Sequence, residues 1–112
     1  MTEMLLVFST FASEEDAARA VRALVAERLA ACGTLLPGAR SLYRWRGAVA
    51  DEREVVVLLK TLRPAWPALE ARLRELHPYE TPECVAVAVA EGSPAYLAWL
   101  AESLGPAGAA DA

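Results

Sequence analysis

Lysine is nearly missing from this 112-residue chain: ten of its eleven basic side chains are arginine, and Lys60 stands alone. Histidine is equally scarce, with His77 the single one. The two cysteines, Cys32 and Cys84, form no C-x-x-C and are expected to be reduced core residues. These shortages exclude a zinc finger or an H-E-x-x-H centre, which need several imidazoles or thiolates at tight spacing. No apolar run approaches the roughly 18 residues of a membrane span. The short run from Met4 to Phe8 lacks a basic flank, so no export signal is read and a cytoplasmic location is expected. A net charge of -4 leaves no basic stripe for a nucleic-acid backbone.

What the chain does have is apolar patterning. Hydrophobic residues make up 55% and charged residues 23%, the composition of one globular domain. That domain is expected over residues 1–104, with 105–112 a disordered tail of small residues. Met4 to Phe8 reads as a short strand buried on both faces. Ser13 is a good N-cap, with Glu14, Glu15 and Asp16 at the positive end of a helix. That helix is predicted to reach about Ala31, with Ala17, Val21, Leu24 and Val25 on its core face. Arg28 falls in its last turn and is expected to snorkel toward the C-terminal carbonyls or to pair across an interface.

A second strand begins at Thr34, bends at Pro37-Gly38 and resumes through Ser41-Leu42-Tyr43-Arg44-Trp45. Alternation puts Ser41, Tyr43 and Trp45 on one face and Leu42 and Arg44 on the other. Gly47 marks the turn, and Glu54 to Lys60 returns. Pro64 and Pro67 fit only the first turn of a second helix, whose stripe is Trp66, Leu69, Leu73 and Leu76. Cys84 to Val89 reads as a fourth strand, and Ser93-Pro94 opens a final helix. Strand, helix, strand, strand, helix, strand is the α+β, ferredoxin-like βαββαβ order, here with a long bent central hairpin and a C-terminal helix. Tyr43 and Trp45 near the hairpin tip have nothing in one chain to cover them, so an oligomer is expected.

Between the second helix and the fourth strand lies His77-Pro78-Tyr79-Glu80-Thr81-Pro82-Glu83. Its two prolines stiffen an extended connector that holds an imidazole, a phenol and two carboxylates. It serves as a joint between helix and strand whether or not it binds anything. As a metal site, His77 with Glu80, Glu83 and Cys32 offers donors suited to Cu(II), Ni(II) or Zn(II). Glu80 or Glu83 would be expected to raise the His77 pKa. Cys32 and His77 could instead pair as nucleophile and base, though no orienting third group is visible. Tyr43, Trp45, Lys60 and Tyr79 could hold a small anion, or the rings could be interface core.

Laid out this way, the chain resembles the divalent-cation-tolerance family, CutA, from Met4 to about Leu104. The resemblance rests on Glu27-Arg28-Leu29-Ala30-Ala31-Cys32 and on Leu36-Pro37-Gly38 with Ser41-Leu42-Tyr43-Arg44-Trp45-x-Gly47. Lys60-Thr61, the connector from His77 to Glu83, and Gly92-Ser93-Pro94-Ala95-Tyr96-Leu97-x-Trp99-Leu100 complete it. It implies a homotrimer whose hairpins wrap onto neighbouring subunits. It also implies a cleft between subunits lined by Cys32, Tyr43, Trp45, Lys60, His77, Tyr79 and Glu83. No cofactor is required by it, and the candidate ion is Cu(II) or another divalent cation. Ser9 stands where some members carry a cysteine proposed as a copper ligand, and Arg46 where many have an acidic or amide residue. The expected function is divalent metal tolerance or response by a non-enzyme; a PII-like trimer that binds small anions is the alternative, ahead of a Cys/His enzyme.

Overall fold

The structure, a computed structural model, describes residues 2–105. The expected tail from 106 to 112 lies outside the described residues. Eight elements follow in order: β1 (Met4–Phe11), α1 (Glu14–Ala26), β2 (Cys32–Trp45), β3 (Ala48–Leu62), a 3-10 turn (Arg63–Ala65), α2 (Trp66–Leu76), β4 (Val85–Ala88) and α3 (Pro94–Ser103). The strands form one antiparallel sheet in the order β2-β3-β1-β4. This is the ferredoxin-like α+β arrangement.

Helices α1 and α2 cover one sheet face. Leu5, Val7 and Phe11 of β1 and Val55, Val57 and Leu59 of β3 pack there with Ala17, Ala20, Val21, Leu24, Leu69 and Leu73. Alternation sends Leu6, Phe8, Val56 and Leu58 to the opposite face, where they are half-buried. The expectation that β1 is buried on both faces is therefore corrected: only the helix side is closed. A smaller cluster of Met4, Ala31, Leu100 and Leu104 seats α3 at one end of that opposite face. The rest stays open, and Val85 and Val87 on β4 are each 52% exposed.

Helix α1 ends at Ala26, five residues before the expected Ala31. The cause is a Schellman motif, in which the Arg28 N–H bonds the Val25 carbonyl and the Leu29 N–H bonds the Leu24 carbonyl. Arg28 takes the left-handed position at φ 61°, where glycine is usual. A non-glycine residue there costs roughly 1–2 kcal/mol. Its guanidinium offsets this by donating to the Glu102 and Ser103 carbonyls at the end of α3, at 2.7 and 3.2 Å. Arg28 thus caps α3, not its own helix. Val25, placed on the core face by periodicity, is exposed, and Ala20 takes its place.

The hairpin β2–β3 is longer than expected and sets the 46 Å long axis of a molecule only 25 × 21 Å across. A register shift between Leu36 and Ala39, with Gly38 at φ 82°, is the bend foreseen at Pro37-Gly38. At the tip Trp45 pairs with Ala48 across Arg46 and Gly47, whose φ values of 50° and 81° make a type I′ turn. Strand β4 spans four residues instead of the expected run from Cys84 to Val89. Its register against β1 runs from Val85 opposite Phe8 to Ala88 opposite Leu5.

Candidate functional site

The connector begins where α2 stops. His77 takes extended backbone angles, φ -81° and ψ 134°, as Pro78 requires of the residue before it. Its side chain turns inward and is only 6% exposed. The ring stacks on Phe11 with centroids 4.0 Å apart and lies 4.6 Å from the Tyr79 ring. Nε2 lies 2.7 Å from the Thr10 carbonyl, and Nδ1 lies 3.1 Å from the Tyr79 amide nitrogen. A carbonyl can only accept and an amide N–H can only donate. One neutral tautomer, protonated at Nε2, satisfies both.

Burial pushes the His77 pKa below its ordinary value, against the upward pull of the Thr10 carbonyl and the charges of Glu54 and Asp16. The expected rise from Glu80 or Glu83 is corrected accordingly: desolvation wins, and the carboxylates that act are on β3 and α1. Tyr79 continues the network by donating to Glu54 Oε2 at 3.1 Å. Burial, that hydrogen bond and nearby negative charge push its phenol up to about 12. Sequence reasoning missed Glu54. Its signal was a carboxylate at the head of the apolar run Val55 to Leu59.

Glu80 and Glu83 are exposed on the same connector and make no hydrogen bond or ion pair among the described residues. Cys32 and Lys60 lie elsewhere, directly opposite each other on β2 and β3. Lys60 donates to Thr34 Oγ1 at 3.3 Å, and Cys32 Sγ lies 3.9 Å from the Tyr96 hydroxyl on α3. Burial first, and then that contact, hold the Tyr96 phenol above its usual range. Tyr96 is a second residue that sequence reasoning left outside the site. Cys84 packs against the main core, and burial pushes its thiol up to about 11, so it stays protonated.

Lys60 is paired with Leu6, whereas His77 sits at Thr10, four residues further along β1. Four strand residues span roughly 13 Å. Cys32 and His77 therefore do not meet within one chain, and the nucleophile-and-base pairing is not made. The metal set is not assembled within one chain either. Among the described residues no three His, Cys, Asp or Glu side chains gather as a metal site. His77 would moreover have to give up a buried hydrogen bond before it could ligate. At the hairpin tip Trp45 is 59% exposed, beneath the Arg46 guanidinium at 5.3 Å from the ring. Tyr43 lies on the same hairpin face, close enough to bias the Tyr79 phenol.

No helix among the described residues is long and apolar enough to cross a membrane. Comparison with known proteins gives a consistent picture. The family described as CutA1 divalent ion tolerance protein matches residues 5–103. The divalent-cation tolerance protein CutA of Thermus thermophilus is 48% identical over 105 residues, covering 94% of this chain and all of that one. The crystal structure of CutA from Xylella fastidiosa aligns with a TM-score of 0.91 at 43% identity, covering 93% of this chain and 100% of that one. The Thermus thermophilus structure gives 0.88 at 47% identity, over 91% of this chain and 99% of that one. These names are those of tolerance proteins, and none of them supports the PII-like alternative.

Proposed function

The chain belongs to the CutA1 divalent-ion tolerance family, and from that premise we propose that it works as a homotrimer answering divalent cations at the seams between subunits. The observation that supports this is the uncovered sheet face. Leu6, Phe8, Leu58, Val85 and Val87 stand side by side on it without a helix over them. Monomers rarely leave an apolar patch of more than a few hundred Å² in water. Burying ~400 Å² yields about 10 kcal/mol gross, of the same order as the ~4–15 kcal/mol that association loses. The face alone is marginal, so the long hairpin must contribute too. Leu42, Tyr43, Trp45 and Val49 are its exposed apolar surface.

In this reading Tyr43, Trp45, Lys60 and Tyr79 line the cleft between subunits, and each seam gathers donors that one chain keeps apart. Glu80, Glu83 and Cys32 are the side chains free to act as those donors. Carboxylate donors suit many divalent ions, and Cu(II) would rank first at such a site on intrinsic affinity alone. Selectivity for copper would therefore need geometry from the assembled seam.

Trp45→Ala and Trp66→Ala separate assembly from folding. Trp66 is half-buried against the main core of its own chain, so its loss lowers folding stability. Trp45 is 59% exposed near the hairpin tip, so its loss lowers the assembly state. Equal mass distributions for the two variants in light scattering would overturn the hairpin's part in the seam.

A further inference from the structure

We propose that His77 is a latch and not a metal donor: its neutral imidazole ties the connector to the end of β1 and presents Tyr79 to Glu54 at the root of the hairpin. The geometry leaves no free lone pair. Nε2 carries the proton given to Thr10, 2.7 Å away, and the Nδ1 lone pair points at the Tyr79 N–H, 3.1 Å away. A metal ion needs an in-plane lone pair on one of these nitrogens. Taking Nδ1 would orphan the Tyr79 amide; taking Nε2 would set the ion against a carbonyl already facing the ring. Either route also pulls the imidazole off Phe11, on which it stacks at 4.0 Å.

The latch has a second end. With its N–H held, Tyr79 delivers its hydroxyl to Glu54 Oε2 at 3.1 Å. One continuous chain of hydrogen bonds thus joins the Thr10 carbonyl on β1, the connector and β3. It holds the connector against the hairpin root, with Tyr43 further out toward the tip, opposite Ala50. Glu80 and Glu83 are left projecting outward, so an ion at this place would be held by carboxylates. Only that last clause rests on the cation-responsive seam proposed above; the latch itself is made within one chain.

Because His77 is the only histidine, its two ring nitrogens can be read without assignment ambiguity in the full-length, nitrogen-15-labelled protein. Long-range proton–nitrogen spectra at pH 7.5 should show the tautomer protonated at Nε2, with both nitrogen shifts unmoved by saturating Zn(II). A proton on Nδ1, a mixture of tautomers, or a shift of either nitrogen with Zn(II) would overturn the latch. A companion titration compares His77→Gln, whose amide can still donate and accept. Its Zn(II) affinity should equal the parent's, whereas loss of a true donor would exceed the ~10–100-fold that an outer-shell change costs. The outcome does not depend on whether the protein is a trimer, which light scattering reads separately.

Discussion

Replacing Ser9 by alanine should make this protein more stable. Ser9 lies in the middle of β1, opposite Val57, and is fully buried on the helix side of the sheet. Its neighbours on that face of β1, Val7 and Phe11, are apolar and fully buried. The Ser9 hydroxyl has no hydrogen-bond partner among the described residues. A buried polar group without a partner costs roughly 1–3 kcal/mol. Alanine removes the oxygen and leaves almost the same volume, so no appreciable cavity offsets the gain. For a domain of about this size, 1 kcal/mol moves the melting temperature by roughly 4–8 °C. Urea unfolding of parent and variant at one chain concentration is the assay, since assembly makes the midpoint concentration-dependent. A higher midpoint with unchanged slope is expected. A loss of about 0.5 kcal/mol or more would refute the reasoning, because the hydroxyl would then have to be making a favourable bond.

Three further variants test the latch and the cap. His77, with its pKa lowered in the fold, binds a proton less readily folded than unfolded. Its contribution is therefore complete above the unfolded value of ~6.5 and is lost as pH falls through the folded value. The urea midpoint should drop between pH 7.5 and 5.5, and His77→Gln should show a smaller drop; an equal drop would contradict it. At Arg28, φ 61° favours glycine, so Arg28→Gly should unfold later than Arg28→Ala by roughly 1 kcal/mol. Both should lie below the parent, having lost the bonds to the α3 carbonyls.

Much of this fold was legible because local signals agreed with the tertiary answer. The Ser13 cap is made as expected, with its hydroxyl accepting from the Asp16 amide at 3.1 Å. Pro67 in the first turn of α2 and the stripe ending at Leu76 also placed that helix, whereas Pro64, expected in the same turn, falls in the 3-10 turn that precedes it. The end of α1 was not legible. Glu27, Arg28, Leu29 and Ala30 are all good helix formers, and the turn at Arg28 depends on α3, which lies about 75 residues further on. The one-sided burial of β1 was hidden for a related reason. A run of Met4 to Phe8 looks the same whether its second face meets a helix or another chain.

At the site, the connector was visible from its prolines, but the direction of His77 was not. Its fate depends on Phe11 and the Thr10 carbonyl, and a backbone acceptor has no sequence signature. Cys32 and Lys60 became neighbours only through strand register. Their distance from His77 follows from the register of β1 against β3, which sets Lys60 opposite Leu6 and has no local sequence signature.

The central claim is that one chain is incomplete and three make the working unit. Light scattering on the gel-filtered protein at micromolar concentration tests it most directly. The account predicts a single species of three times the 12.0 kDa chain mass. A monomer with its uncovered sheet face in water would contradict it.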